Sequence, residues 1–139
     1  MKRTGYMVLA AVALALMSLV PAYAQKTAAT VNIPFAFTVD DVRMPAGEYL
    51  ITSPSEKVIS IQRVGGAEVE TTMINANGPI QGGGSPRLVF HHYGSEYFVV
   101  VAYLPNQDHA HEFVASAAEI HVARSVKQQT YELAMNVKK

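Results

Sequence analysis

The stretch Ser85–Leu104 reads SPRLVFHHYGSEYFVVVAYL and predicts a β-hairpin. Two runs rich in β-branched and aromatic residues flank the dipeptide Gly94-Ser95. A glycine at the first central position suits a two-residue type II′ turn, which is a common hairpin connection. A turn at this dipeptide would place apolar residues directly opposite one another: Phe90 opposite Val99, Leu88 opposite Val101 and Val89 opposite Val100.

The second strand of this hairpin, Tyr97–Leu104, is apolar at nearly every position. A strand that faces water on one side alternates apolar and polar residues, whereas a strand covered on both faces does not need to. We therefore expect this strand to lie inside a sheet rather than at its edge, with packing on both faces.

The first 24 residues have the three parts of a secretory signal peptide. Lys2 and Arg3 form a positively charged start, Met7–Val20 is an apolar run, and Ala22-Tyr23-Ala24 is a small-x-small cleavage site. The apolar run is shorter than the roughly 20 residues that a membrane-spanning helix needs. We therefore expect export with cleavage after Ala24, which would leave residues 25–139 as a single β-rich domain.

The mature chain would keep 115 residues (139 − 24), close to the usual size of one domain. Because the sequence contains no cysteine, the domain must depend on a hydrophobic core and not on disulfides. Such a chain suits a bacterial periplasm or the cell exterior. Without Lys2 and Arg3, nine basic residues remain against eleven acidic ones, a net charge of −2. The absence of a basic cluster argues against binding to nucleic acid or to anionic lipid. We also expect no stable membrane insertion after cleavage.

Alternation of apolar and polar residues predicts further strands on both sides of the hairpin. The predicted strands are Val31–Val39, Val42–Met44, Glu48–Thr52, Val58–Arg63, Ala67–Ile74 and Thr130–Val137. Pro34 cannot donate a hydrogen bond, so the first strand should lie at an edge or pair on one side only at that point. Two polar or glycine-rich segments, Asn75–Ser85 and Pro105–His111, are predicted to be loops.

Two registers are possible for the predicted hairpin of Val58–Arg63 and Ala67–Ile74. A two-residue loop at Gly65-Gly66 would set Ile61 against Glu70. A three-residue loop would set Ile61 against Val69, with Gly66 in the left-handed conformation. We expect the three-residue loop, because it gathers polar residues on the solvent face: Ser60, Gln62, Glu68 and Glu70.

Ser116 and Glu119 have the spacing of a capping box, which predicts a helix that continues to about Ser125. This helix would carry Ile120 and Ala123 on one side. The whole pattern predicts an all-β, mainly antiparallel fold of about seven or eight strands with one short helix near the C-terminus. A small β-barrel and a β-sandwich both fit this prediction.

Three segments resemble an uncharacterised family of small exported bacterial β-rich proteins. They are the IPFxFTV run at Ile33–Val39, the PAGxY element at Pro45–Tyr49 and the FHxYG segment at Phe90–Gly94. The chain departs from the family pattern at Asp40, where glycine is usual, and over Pro105–Phe113. The resemblance implies a β-rich fold and export, and it implies no activity.

Two of the five histidines, His109 and His111, are candidate metal ligands. Alternate residues of an extended segment can point to the same side, and Asp108 adds a carboxylate beside them. Imidazole and carboxylate groups suit zinc, copper or nickel, although the spacing matches no defined metal motif. His91 and His92 are neighbours on a predicted strand and would point to opposite faces, so we expect His91 to make hydrogen bonds near the strand end instead.

Other patterns that could carry chemistry are weaker. No serine lies in a G-x-S-x-G elbow, and Gly82-Gly83-Gly84 lacks the lysine and the helix of a phosphate-binding loop. Glu68 and Glu70 share a predicted strand face, where exposure to solvent explains them better than glycosidase chemistry. A set of aromatic residues could line a pocket but more commonly fills a core: Phe35, Phe37, Tyr49, Phe90, Tyr97, Phe98 and Tyr103.

From these observations we expect an exported, non-enzymatic β domain that uses no cofactor. It would bind a protein, a component of the cell envelope or a small apolar ligand. The alternative is a small metal-binding periplasmic protein that uses His109, His111 and Asp108. The sequence indicates no catalytic residues.

Overall fold

The computed structural model describes residues 28–79 and 84–137. The predicted signal peptide and its cleavage site lie outside the described residues, as does part of the predicted loop Asn75–Ser85. Within the described ranges, no helix is long and apolar enough to cross a membrane.

The fold is all-β and mostly antiparallel, with one short helix near the C-terminus, as the sequence predicts. It is sandwich-like and is not a closed barrel. The described ranges contain eleven strands rather than seven or eight. The count is higher because two predicted strands are each divided in two and because part of a predicted loop forms a strand.

In chain order the elements are β1 (Ala28–Ile33), β2 (Phe37–Val39), β3 (Val42–Met44), β4 (Gly47–Ser55), β5 (Val58–Arg63), β6 (Val69–Pro79), β7 (Arg87–Tyr93), β8 (Glu96–Tyr103), β9 (His109–Phe113), α1 (Ala117–Val122), β10 (Gln129–Ala134) and β11 (Asn136–Val137). The strands hydrogen-bond in the order β10-β7-β8-β9-β6-β5-β4-β1-β11, while β2 pairs with β3 and, in parallel, with β8. One sheet contains β1, β4, β5, β11 and the first half of β6, and the other contains β2, β3, β7, β8, β9, β10 and the second half of β6. The predicted interior position of the hairpin's second strand is confirmed, because β8 lies between β7 and β9.

Two segments of the chain pass from one sheet to the other. The first half of β6 pairs with β5 and the second half with β9, with a bulge between Ile74 and Ala76. The predicted strand Thr130–Val137 is interrupted at Met135, so that β10 pairs with β7 and β11 pairs with β1. Strands that change sheets through such irregularities are a known way to build the corners of a sandwich.

Apolar side chains from both sheets form one core: Ala29, Val31, Ile33, Phe37, Val39, Met44, Tyr49, Ile51, Ile59, Ile61, Ile74, Leu88, Phe90, Val99, Ala102, Leu104 and Met135. Most of them come from alternate positions of their strands, because every second side chain of a strand points to the same face. Alternate apolar residues of the predicted first strand are buried, namely Val31, Ile33, Phe37 and Val39, although the strand is broken. Pro34, which has no N–H to donate, follows the last residue of β1, and the chain resumes pairing at β2.

The central hairpin turns at Gly94-Ser95 as predicted, with Gly94 at a φ of 61°. Phe90 is opposite Val99, which confirms that pair. The other two predicted pairs are wrong, because a bulge shifts the register between Val89 and Phe90. The observed pairs are Leu88 with Ala102 and Val89 with Val101, and Val100 is the additional residue.

The three-residue loop predicted for the second hairpin is wrong. Ile61 is opposite Glu70, as in the register that we did not favour, and the N–H of Arg63 donates to the carbonyl of Glu68 at 2.9 Å. The loop spans four residues, and Gly65 rather than Gly66 has the left-handed conformation, with a φ of 73°. The consequence is that Val69 is half-exposed on the outside of β6.

The predicted N-cap at Ser116 is confirmed, since the N–H of Glu119 donates to Oγ of Ser116 at 3.0 Å. The Glu119 carboxylate, the other half of the predicted capping box, contacts His91 and Tyr93 instead. The helix ends earlier than predicted, at Val122 instead of about Ser125. Its buried side chain is Glu119, whereas Ile120 is half-exposed. An acidic residue therefore faces the sheet from the helix, and this feature shapes one of the candidate sites.

Candidate functional site

The histidines predicted as metal ligands lie in β9 and not in a loop, because β9 pairs with β6 on one side and with β8 on the other. His109 and His111 are alternate residues of the strand and share a face. His111 is directly opposite Ala102, a residue of the core. The histidine pair therefore lies on the inner face of its sheet, where His111 is fully buried.

The loop before β9 supplies one hydrogen-bond acceptor to each ring of the pair. Nδ1 of His109 donates to Oδ1 of Asp108 at 3.1 Å, and Nε2 of His111 donates to Oε1 of Gln107. Carboxylate and amide oxygens only accept, so these two ring nitrogens must carry the protons. In the neutral rings, Nε2 of His109 and Nδ1 of His111 are then the nitrogens with available lone pairs.

These two nitrogens are buried and have no hydrogen-bond partner within the part of the chain that the structure describes. A buried acceptor without a partner costs roughly 1–3 kcal/mol. The two rings contact each other edge to face, with centroids 4.7 Å apart and planes at 70°. Burial, with a smaller contribution from His109, lowers the pKa of His111 to about 4, so its ring is neutral at pH 7.

Asp108, the third predicted ligand, contacts the ring nitrogen of His109 that is already protonated. This hydrogen bond lowers the pKa of the Asp108 carboxyl. In residues 28–79 and 84–137, no group of three or more His, Cys, Asp or Glu side chains is arranged to hold a metal ion. The structure therefore brings two of the three predicted ligands, His109 and His111, into contact. The third, Asp108, hydrogen-bonds to Nδ1 of His109, which is not one of the two nitrogens with available lone pairs.

A second candidate site lies on the opposite, outer face of the same sheet, beside α1. This pocket, which we call the outer pocket, has a volume of about 240 Å³ and is lined by His91, Val100, Val101, Glu112, Phe113, Ala115 and Glu119. His91 follows the core residue Phe90 and therefore points away from the core. The bulge in β8 explains why two successive residues, Val100 and Val101, both reach the pocket.

A buried carboxylate anchors the outer pocket. Oε1 of Glu119 accepts a hydrogen bond from Nδ1 of His91 at 2.6 Å and another from the Tyr93 hydroxyl at 3.2 Å. Burial raises the pKa of Tyr93, and the charge of Glu119 raises it further, so this hydroxyl keeps its proton. The expectation that His91 makes hydrogen bonds near the strand end is confirmed.

His92 contacts a different set of residues from its neighbour, as alternation along a strand requires. Its ring stacks on Tyr97 with centroids 4.1 Å apart, and Tyr97 stacks in turn on Phe35 at 3.7 Å.

Four residues of the predicted aromatic set are buried and the other three are partly buried. The buried ones are Phe37, Tyr49, Phe90 and Phe98. None of the set lines the outer pocket. Five of the seven lie in the core or pack against it: Phe35, Phe37, Tyr49, Phe90 and Tyr97.

Glu68 and Glu70 have different environments because the hairpin register differs from the predicted one. Glu68 pairs with Arg63 at 3.2 Å near the turn. Glu70 is partly buried, and burial together with the nearby charge of Asp40 raises the pKa of its carboxyl. Asp40 also accepts a hydrogen bond from the Thr72 hydroxyl at 3.1 Å, so these side chains connect the β2–β3 turn to β6. We infer a structural role for this group.

Sequence reasoning missed Glu119 as a site residue. The spacing of a capping box suggests a local role for the residue, and no short-range pattern links it to His91, which is 28 residues earlier in the chain. A charged residue on the helix side that packs against the sheet becomes apparent only when the helix is placed.

Comparison with known proteins identifies no relative: no protein family matches the chain, and neither a curated protein nor a solved structure is significantly similar to it. The family resemblance noted from the sequence therefore stays a prediction.

Proposed function

We propose that this chain is an exported, non-enzymatic β domain that binds a small organic cation with an apolar body in the outer pocket. The observation that carries the proposal is the pocket itself, which combines apolar walls with a buried carboxylate. Small-ligand sites typically have this composition, with mostly apolar lining and a few polar groups that fix the orientation of the ligand.

The size and walls of the outer pocket favour a compact ligand. Its volume of about 240 Å³ is below the range of about 300–1,000 Å³ that drug-sized ligands occupy. Val100, Val101 and Ala115 provide apolar surface, and Phe113, which packs against the core at the end of β9, also borders the pocket. A short alkyl or small cyclic group would replace water on these side chains and gain the hydrophobic contribution of that contact.

The charge of the outer pocket favours a cation. Glu112 and Glu119 contribute two carboxylates, and His91 contributes one imidazole. Even with His91 protonated, the lining carries an excess of negative charge. An ammonium group near the carboxylates would therefore be attracted, and a carboxylate ligand of the same length would be repelled.

An enzymatic interpretation of the same residues is less well supported. A carboxylate that fixes Nδ1 of a histidine is one part of the arrangement found in hydrolases, where the histidine activates a nucleophile. Among the described residues, no serine, threonine or cysteine lines the outer pocket. The pair is therefore better suited to hold a ligand than to transfer an acyl group to the protein.

Calorimetric titration of the mature chain, residues 25–139, with three probes of equal length tests the proposal. The probes are hexylammonium, hexanol and hexanoate. We expect hexylammonium to bind most tightly, hexanol more weakly and hexanoate least, because the apolar part is shared and only the head group differs. Failure of all three to bind at millimolar concentration, or equal affinity for all three, would contradict the proposal.

Two variants provide the matched controls for this titration. Glu112→Gln removes one carboxylate of the pocket while keeping its shape, and should reduce the preference for hexylammonium over hexanol. Glu56→Gln makes the same chemical change at an exposed turn away from the pocket and should leave the preference unchanged. A loss of preference in both variants would indicate a general effect of net charge instead of a site.

A further inference from the structure

We propose that His109 and His111 together bind a divalent late transition metal ion, with Asp108 and Gln107 holding the two rings in position. This site is independent of the proposed ligand site, because the histidine pair lies on the inner face of the sheet and the outer pocket on the opposite face. Its failure would leave the proposed function untouched.

The first observation behind this proposal is the pair of unpartnered nitrogens. Nε2 of His109 and Nδ1 of His111 are both buried and lack hydrogen-bond partners among the described residues. Buried polar atoms are normally satisfied, and one without a partner calls for an explanation such as an ion. Here two such atoms belong to adjacent rings, whose centroids are 4.7 Å apart and whose planes meet at 70°. A shared ion is the explanation that we infer for both atoms together.

The second observation is the support behind each ring. Histidines that bind metals almost always donate their other ring N–H to a carboxylate, a carbonyl or water, which fixes both tautomer and orientation. His109 donates to the Asp108 carboxylate at 3.1 Å, and His111 donates to the side-chain oxygen of Gln107. Both rings therefore already have the tautomer that leaves the lone pairs of Nε2 of His109 and Nδ1 of His111 available.

The donor atoms decide which ions fit. Two imidazole nitrogens suit copper, nickel and zinc and do not suit calcium or magnesium, which prefer oxygen ligands. For a given set of donors, affinity among these divalent ions is highest for copper. With two protein ligands, the remaining coordination positions would be filled by water, so we expect binding that is weaker than at a complete four-ligand zinc site.

An ion can reach the pair from the side of the loop. The side chain of His111 is fully buried, but that of His109 is 26% exposed next to the exposed Asp108. The carboxylate of Asp108 adds negative charge at this entrance. Burial therefore keeps the rings of the pair oriented, and the exposed part of His109 gives a metal ion access to the pair after the protein has folded.

Copper titration followed by electron paramagnetic resonance tests the proposal on the mature chain. We expect one Cu²⁺ per chain with hyperfine structure from two imidazole nitrogens. His109→Gln should reduce the affinity at least tenfold, whereas His121→Gln, at an exposed helix position, should change neither the affinity nor the spectrum. Equal binding by the wild type and His109→Gln, or a spectrum without two coordinated nitrogens, would overturn the proposal.

Asp108 is inferred to be a positioning residue, and its variants separate this role from a purely structural one. Asp108→Ala should weaken Cu²⁺ binding by about tenfold, in the range known for residues that orient metal ligands. Asp108→Asn keeps an oxygen that can accept from His109 and should restore much of the affinity. If both variants bind copper like the wild type, Asp108 does not position the site.

A measurement without any substitution guards against variants that fail to fold. Zn²⁺ is diamagnetic, so its addition to the wild-type protein can be followed through the histidine ring resonances. We expect the ring signals of His109 and His111 to change at one equivalent, while those of His91 and His121 stay in place. Changes confined to the other histidines would contradict the assignment.

Discussion

Phe90 is the side chain through which the central hairpin contributes most directly to the core. It is fully buried and makes edge-to-face contacts with Phe35 at 5.1 Å and with Phe37 at 5.9 Å between ring centroids. Edge-to-face aromatic contacts add to the stabilisation that burial provides. The residue therefore links the hairpin to the segment that contains β1 and β2.

Truncation of Phe90 should strongly destabilise the domain. Phe90→Ala removes a buried ring, and we expect the free energy of unfolding to fall by about 3–5 kcal/mol. Glu96→Ala is the control, because Glu96 forms an exposed ion pair with Arg43, and its loss should change stability by less than about 1 kcal/mol. Urea unfolding of the mature chain measures both. Similar losses for the two variants would show that Phe90 is not in the core.

His111 should make stability depend on pH in a defined window. Its pKa is about 4 in the folded protein against 6.5 for an unperturbed histidine. Between these values the unfolded state binds a proton that the folded state does not, so stability falls as the pH decreases from about 6.5 towards 4. The loss should reach at most about 3 kcal/mol. Above pH 6.5 this contribution is constant.

The His111 prediction is measured as a difference between variants. His111→Leu removes the titration, so wild type and variant should diverge between pH 6.5 and 4 when unfolded with urea in the presence of EDTA. His121→Leu, at an exposed position, should follow the wild type. A parallel pH dependence for wild type and His111→Leu would show that His111 is accessible to protons in the folded state.

Asp40 and its neighbour Asp41 have a backbone conformation that most residues avoid. Asp40 and Asp41 form the β2–β3 turn with φ values of 47° and 64°, in the left-handed region that glycine enters most easily. Aspartate tolerates this region better than most residues. The carboxylates also work as acceptors, that of Asp40 for Thr72 and that of Asp41 for the N–H of Ala118.

At the scale of elements, the stability of α1 depends more on contacts at its N-terminal end than on the length of the helix. A helix of six residues is too short to be stable alone, so contacts at its ends must stabilise it. Ser116 accepts the N–H of Glu119, and Asp41 accepts the N–H of Ala118. The same start of the helix places the Glu119 side chain against His91.

Removal of this cap should affect both stability and the outer pocket. Ser116→Ala should lower the free energy of unfolding by about 1 kcal/mol, the typical cost of losing a helix N-cap. Since Glu119 is then held less firmly, hexylammonium affinity should also fall. Ser125→Ala, just beyond the helix, is the control and should change neither quantity much. Urea unfolding and calorimetric titration of the same samples measure the two quantities. A lower free energy of unfolding with unchanged hexylammonium affinity would show that the cap stabilises the helix without supporting the pocket.

The elements differ in how much of them local patterns could predict. The turn at Gly94-Ser95 and the cap at Ser116 follow from residue types at fixed positions, and both were predicted. The bulge at Val100 was not, because an unpaired residue among β-branched neighbours leaves no local signal. The register of the β5–β6 hairpin was also missed, because the partial burial of Glu70 contradicts the assumption that every charged side chain of a strand faces solvent.

At the scale of the whole molecule, the candidate sites depend on contacts between distant segments. His109 and His111 were identified from their spacing, but their inner position depends on the pairing of β9 with β6 and β8. The outer pocket requires α1 to pack over strands that precede it by many residues. Local sequence patterns carry no information about such packing, so the fold class could be predicted and the outer pocket could not.

The proposed export of the protein makes a prediction about its mature form. Cleavage after Ala24 should give a chain that begins at Gln25, with or without cyclisation of that glutamine. Intact-mass analysis of protein recovered from the periplasm or the medium measures this directly. Recovery of the full-length chain from the membrane fraction would contradict cleavage after Ala24.

The central claim is that the outer face of the β7–β9 sheet binds a small organic cation while the inner face forms the core. Nuclear Overhauser contacts between bound hexylammonium and the isotope-labelled mature chain test it most directly. We predict contacts from the alkyl protons to Val100, Val101 and Ala115, and none to the surface around Leu50 and Val64, where another pocket of similar volume lies. Contacts confined to that other surface, or none at saturating probe, would contradict the claim.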